Sequence, residues 1–257
     1  MDAPTMARVN RERILLVGGQ RALVMQLAHP LVAAGVAQHS DFPARSLERL
    51  RRTLDLSLAL IYGTPAEAEA AAAAIRAVHD RVSGIAEGRS YRADDPGLLL
   101  WVNATLIDTT LLVYERFVRR LPEPVCRRYY RESVDSAELF GIPRRVVPAD
   151  LDSFRSYMAG MLGGSELRAS PEGRRLVRHV LRPPLPLPLR LPTAAVRQIT
   201  LSLLPEPVRE MFGLRAGPIP RLALAGASGA SRLLLSVLPR TVREFSAARA
   251  SSGAPRE

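Results

Sequence analysis

Over residues 11–36 the apolar positions Leu15, Leu16, Leu23, Leu27, Leu31 and Val32 recur at helical spacing. Gly18-Gly19 and Pro30 break that run, so it predicts two helical pieces. After a loop over 38–45, Ser46 is placed to cap a helix whose stripe is Leu50, Leu54, Leu58 and Ile61 and whose end lies near Gly63. Thr64-Pro65-Ala66-Glu67 then supplies an N-cap threonine, a proline at the first helical position and a glutamate that closes a capping box. The helix it starts is expected to run from Pro65 to about Ser83, with Gly84 as its stop. A loop over 87–96, Tyr91-Arg92-Ala93-Asp94-Asp95-Pro96 included, leads to a long helix over 97–120 that Leu121-Pro122-Glu123-Pro124 ends. Helices over 125–139 and 149–162 follow, with turns at Gly141-Ile142-Pro143 and Gly163-Gly164.

The remainder reads differently. Alternate prolines over 181–192 remove backbone donors and fix the φ angle, which predicts an extended strap in place of helix. Short helices are expected over 194–204, 206–212 and 228–247, and the last ten residues read as frayed. No run of alternating strands, no internal repeat and no heptad pattern is present. The fold class is therefore all-α. It divides into a helical core over 1–165 and a Pro/Arg-rich, basic helical extension over 166–257 packed on that core.

Composition narrows the chemistry. With 257 residues and 47% apolar content the chain is long enough to bury a core, and its charge content is ordinary, so disorder is excluded. Cys126 is the single cysteine, which excludes an intramolecular disulfide, a cysteine zinc cage and a Cys-ligated iron–sulfur cluster within one chain. All 36 basic residues are arginine, a usage that reflects base composition more than phosphate binding. Residues 1–160 carry 21 Arg against 19 acids, whereas residues 161–257 carry 15 against 6, so the positive excess sits in the last third. A basic, apolar, proline-rich tail suits a plain solvated surface, or peripheral contact with anionic membrane lipid, better than nucleic-acid reading, for which no aromatic platform or groove helix is present. Residues 1–13 are polar, with no apolar region or cleavage site of a signal peptide, so a cytoplasmic location is expected. The nearly apolar stretch over 97–114 is interrupted by Asn103, Thr105, Asp108, Thr109 and Thr110 and reads as a helix buried in protein.

Four histidines are present: His29, His39, His79 and His179. Neither Glu-x-x-His pairs nor His-Glu-x-x-His occurs, and nucleophile elbow, Walker loop and dinucleotide fingerprint are missing as well. His79 shares a helix face with Ala71, Ala72, Ile75 and Val82. That pattern suits a core histidine on a closely packed Ala-rich helix; it also suits an imidazole under a flat macrocycle that small side chains allow to approach. Arg49, Arg52 and Thr53, at i, i+3 and i+4, form one polar patch, either a solvated face or a holder of carboxylates or of a polar diatomic ligand. Asp108, inside the apolar helix, needs a partner, and an arginine pair is the expected one, with a catalytic base as the alternative. Between His29 and His39 lie mostly small residues that permit close packing. Either histidine is placed to line a pocket, although His29 before Pro30 suits a cap, and His179 among arginines suits the surface.

Several of these pieces stand in a particular order: Gly19-x-Arg21-Ala22-Leu23, Ala28-His29-Pro30 through His39-Ser40-Asp41-Phe42, Arg49-x-x-Arg52-Thr53, Val78-His79, Tyr91 to Pro96, and Trp101-Val102 followed by Asp108. Over residues 11–160 that order resembles the haem b oxygenases that include bacterial rubber oxygenase (latex-clearing protein) and the fungal oxygenase of mycophenolic acid biosynthesis. The resemblance implies an enlarged globin-like helical fold, haem b as cofactor and His79 as the axial iron ligand. His39, Ala72 and Ile75 would join it around the cofactor. It makes Arg49, Arg52 and Thr53 residues that line the opposite side or hold the haem, with Arg49 and Thr53 polarising dioxygen for delivery to a carbon–carbon double bond of a small apolar, isoprenoid-like or lipid substrate. Rubber oxygenase has lysine where this chain has Arg52, and a guanidinium that stays protonated is a poor metal ligand. The resemblance supplies no secure counterpart for that enzyme's acidic base. Without an export signal, a small intracellular lipid or terpenoid is expected as substrate in place of a polymer. A haem protein of peroxidase-like or gas-binding type, and a cofactor-free helical protein on membrane lipid, are the competing readings.

Overall fold

The computed structural model describes residues 4–40, 46–183, 187–215 and 219–253. Helices follow one another as α1 (Thr5–Asn10), α2 (Gly19–Gln26), α3 (Pro30–His39), α4 (Ser46–Tyr62) and α5 (Pro65–His79). A hairpin of β1 (Ser83–Ala86) and β2 (Arg89–Arg92) precedes α6 (Pro96–Phe117), α7 (Glu123–Leu139) and α8 (Leu151–Gly163). The chain then continues through α9 (Pro171–Leu181), α10 (Leu187–Leu203), α11 (Glu206–Met211), α12 (Ile219–Val237), α13 (Arg240–Arg243) and α14 (Ser246–Gly253). Apart from one two-stranded antiparallel sheet, the regular structure described is helical, and the all-α class stands.

Helix α6 is the centre. Asp95 caps it, its carboxylate accepting from the amides of Gly97 and Leu98, and Pro96 occupies the first turn, where its missing N–H costs nothing. The helix is long and apolar enough to cross a membrane by composition, yet Trp101, Ala104, Ile107 and Tyr114 are buried in the main core. That core also takes Val24 and Met25 from α2, Tyr129 and Tyr130 from α7, and Leu176, Val177, Leu201 and Val208 from the chain beyond residue 166. Gly18 lets the entry to α2 press onto α6, because a Cβ there would meet the Thr109 Cγ2 methyl at 2.6 Å.

Four expectations change. The helix that starts at Thr64 ends at His79, and Gly84 lies within β1. The segment taken as a plain loop is a hairpin that turns at Glu87-Gly88, both with positive φ (52° and 74°). That is the geometry of a two-residue I′ turn, which Gly adopts without strain. The proline-rich strap is helix α10 from Leu187 onward, while residues 184–186 lie outside the described residues. Pro188 stands in the first turn, where no donor is needed, so only Pro192 costs an intrahelical bond. Finally, α9, started by Ser170 and Pro171, had no counterpart in the reading, and the single helix expected over 228–247 is three, α12, α13 and α14. Of the last ten residues, Ala248 is buried, and residues 254–257 lie outside the described residues.

Residues 11–12 and 243–245, far apart in sequence, meet. Glu12 and Glu244 form an isolated antiparallel bridge, the Phe245 amide donates to the Arg11 carbonyl, and both glutamates are buried. Arg243 reaches Glu12 at 3.1 Å and Glu244 at 3.3 Å, and Arg11 reaches them at 3.5 and 3.3 Å. Burial still leaves the Glu12 carboxyl above the usual range, with Arg243 and Arg11 opposing the shift.

His29 is the N-cap of α3, its Nδ1 accepting from the Leu31 amide at 3.3 Å. Burial lowers its pKa below the ordinary 6.5, so the native state holds the neutral, accepting form. Because the unfolded chain binds the proton more readily, this contribution is complete above about pH 6.5 and is lost as pH falls toward the native value. His29→Asn keeps a capping acceptor without titrating. Melting temperatures followed by circular dichroism from about pH 7.5 to 5 are expected to fall more steeply for the wild type than for the variant. Parallel curves would contradict the assignment.

Candidate functional site

Helices α4 and α5 form an antiparallel pair joined at Gly63-Thr64. The capping box at Thr64 starts α5: its hydroxyl accepts from the Glu67 amide, and the Glu67 carboxylate accepts from the Thr64 amide at 2.7 Å. Near its other end Arg76 donates to the Leu139 carbonyl on α7 at 2.5 Å and to Glu69 at 2.6 Å, which pins α5 to the body. None of the described apolar side chains of this pair belongs to a core cluster. Leu54, Leu58 and Ile61 on α4 remain half-buried, so the stripe read from the sequence forms here but stays partly open.

His79 is the last residue of α5 and is half-buried. Its Nδ1 is buried without a hydrogen-bond partner among the described residues. A buried imidazole nitrogen is normally satisfied, so an orphan marks a place where a further bond is available. Desolvation lowers the His79 pKa, with Asp80 and Asp94 opposing, so the ring is neutral at neutral pH and its lone pair is free to donate. Among the described residues, Trp101 Nε1, from another of the sequence motifs, is the other ring nitrogen buried without a partner.

The hairpin carries Asp94 up to His79. On the far side it is clamped by α3: His39 Nε2 lies 2.8 Å from the Ser83 carbonyl, Gln38 donates to the Ile85 carbonyl, and the Tyr91 hydroxyl donates to the Gln38 amide oxygen at 2.8 Å. His39 is thus engaged with backbone and exposed. Beside these residues lies an open cleft of about 390 Å³, lined by Ser90, Tyr91, Arg92, Asp94, Asp95 and Pro96. The sequence reading missed this clamp; the paired Glu87-Gly88 between short runs was the signal for it.

Of the other expected site residues, Arg52 and Thr53 are exposed on α4, and the side chain of Arg49 lies outside the described residues. At 1.5 Å per residue from the turn, Arg49 and His79 both stand about 20 Å along the helical pair. Ala72 is fully buried and Ile75 half-buried, while the exposed residues of α5 are spread along its length, from Pro65 to Val78. His29 caps a helix and His179 is half-buried. Asp108 makes the expected arginine pair, at 2.7 Å to Arg21.

Compared with known families, residues 6–243 match the model described as "ER-bound oxygenase mpaB/B'/Rubber oxygenase, catalytic domain". The chain belongs to this oxygenase family. No curated protein and no solved structure matches. The match takes in nearly all of the oxygenase, α9 to α13 included, and stops where Glu244 begins the final segment. On α5 of this oxygenase, a neutral imidazole with an orphaned buried nitrogen is a donor whose chemistry suits a haem iron.

Proposed function

We propose that this oxygenase is a haem b enzyme that adds oxygen from dioxygen to a small apolar unsaturated substrate of lipid or isoprenoid type. The observation that carries the reading is the unpaired, neutral imidazole of His79; rubber oxygenases use haem. Bound at this site, haem supplies the activation of dioxygen, chemistry that belongs to the cofactor. His79 holds the group in place by donating its lone pair. Arg49 and Arg52 offer permanent positive charge for the carboxylates of the macrocycle, and the Thr53 hydroxyl offers a donor to a polar diatomic ligand. Arg52 keeps its proton, so no α4 side chain at that position competes with His79 for a metal. The apolar side chains of α4 and Ile75 keep water away from the bound substrate. Asp108 takes no part, its carboxylate being occupied by Arg21.

The test uses the purified full chain from haem-supplied cells. An intense Soret band that shifts on reduction and with carbon monoxide is expected. Ferrous protein incubated with unsaturated lipids under labelled dioxygen is expected to place label in carbonyl products. A colourless preparation overturns the haem assignment; a coloured protein that transfers no label overturns the oxygenase chemistry.

A further inference from the structure

Helix α12 lies across the C-terminal end of α6: the Ser231 hydroxyl donates to the Phe117 carbonyl at 3.1 Å and Arg232 donates to the Glu115 carbonyl at 2.5 Å. Ser228 is buried and Leu235 half-buried on that side. The opposite side is unusual. Leu233, Leu234 and Val237 are 71%, 56% and 72% exposed, and Val242 on α13 adds a fourth aliphatic side chain at 55%. Positions 233 and 237 stand one turn apart, in line with exposed Gly226, Gly229 and Ala230, so the ridge occupies one face. Single exposed aliphatics are ordinary, but several together, rimmed by charge of one sign, mark a contact surface.

The charge around the ridge selects the occupant. From Ile219 to Gly253 the chain has five arginines and one acid, Glu244. That acid is buried and enclosed by Arg11 and Arg243, so it presents no negative charge outward. Arg232 and Arg240 are exposed beside the ridge, Arg232 with one donor on the Glu115 carbonyl and Arg240 3.9 Å from Glu244. A second copy of the chain would bring arginine against arginine. An anionic lipid surface instead accepts the aliphatic tips at the acyl boundary while the guanidiniums remain among the headgroups. Helix α12 does not cross the bilayer in this arrangement: it carries Arg232 and several Gly and Ser residues, and α6 alone among the described helices has the length and apolarity of a span. We propose that the outer face of α12 and α13 docks the protein on an anionic membrane, with α12 in the plane of the interface. This goes beyond the oxygenase reading and does not depend on it.

Co-sedimentation of the full chain with phosphatidylcholine vesicles, with and without phosphatidylglycerol, tests the proposal. Binding is expected to the anionic vesicles alone, and to weaken as NaCl rises from about 0.1 to about 1 M, which shortens the screening length from ~10 to ~3 Å. Leu233→Ser/Val237→Ser is expected to lower the partition coefficient by about tenfold or more, since two aliphatic side chains no longer leave water. Its melting temperature should match the wild type because both positions are exposed. Wild-type protein that ignores anionic vesicles, or a variant that binds them equally well, overturns the proposal. A wild-type dimer that the double variant turns into a monomer, without vesicle binding, assigns the ridge to a second copy and overturns it too. None of these readouts involves pigment or activity.

Discussion

His79→Ala is expected to emerge from haem-supplied cells without a Soret band, while His179→Ala, prepared in parallel, keeps its colour. The expected loss exceeds the ~10–100-fold that follows when only a metal ligand's hydrogen-bond partner is removed, because here the donor itself disappears. The fold should survive. His79 is the terminal residue of α5, it is half-buried, and its Nδ1 makes no bond whose loss would strand a partner. Removing it changes stability by no more than about 1 kcal/mol, the scale of an ordinary side-chain interaction. Far-ultraviolet circular dichroism and a melting curve establish that the variant is folded. His79→Gly is the sharper version: if the imidazole alone holds the cofactor, added free imidazole restores the band. Wild-type haem stoichiometry in His79→Ala, with the melting temperature unchanged, would remove this residue from the site and with it the argument for the α4–α5 pair.

The pattern of the chain gave part of the local structure around His79. The capping box at Thr64 gave the start of α5 because all of its determinants lie within four residues, and the structure reproduces both of its hydrogen bonds. The end of α5 was misjudged by about one turn, since a helix stop at Gly84 and a strand glycine look alike when the partner strand is unknown. The pairing Gly84↔Tyr91 is what decides, and it depends on a positive φ at Glu87 that no hydrophobic period reports. His39 illustrates the other failure. Its place among small residues suggested a pocket, but the ring is spent on the Ser83 carbonyl, a contact 44 residues away in sequence. The buried pair Glu12 and Glu244 was invisible for the same reason, being brought together from positions far apart in sequence. The ridge on α12 shows the reverse: charge composition left a solvated surface or lipid contact open for the tail, and only burial shows which of its apolar residues are left outside.

The largest effect on stability is expected from Arg21 and Asp108, whose pairing was legible from one carboxylate inside an apolar helix. The Arg21 side chain is 4% exposed and spends its donors on two other helices: Nε on the Leu203 carbonyl of α10 at 2.9 Å, and its terminal nitrogens on Thr109 at 2.5 Å and Asp108 at 2.7 Å, both of α6. Asp108→Ala leaves a buried guanidinium without its counter-charge, an error that costs ~3–5 kcal/mol in buried pairs. Because Asp108 itself is 32% exposed, the lower end of that range, about 3 kcal/mol, is expected. Arg21→Met/Asp108→Leu takes out both charges at once and replaces them with apolar groups, so it is expected to be more stable than Asp108→Ala despite carrying one more substitution. Urea unfolding of Arg21→Met, Asp108→Leu and the double variant completes the cycle. A coupling of at least about 1 kcal/mol is expected between the two positions. Simple additivity would show that the pair holds nothing together. Asp108→Asn separates structure from catalysis: the amide oxygen still accepts from Arg21, so a carboxylate with a purely structural role leaves oxygen transfer largely intact, whereas a catalytic base would lose it. The same arginine joins α2, α6 and α10 at one point, so a variant that keeps this hydrogen bond should also leave the α4–α5 pair in place and retain its colour.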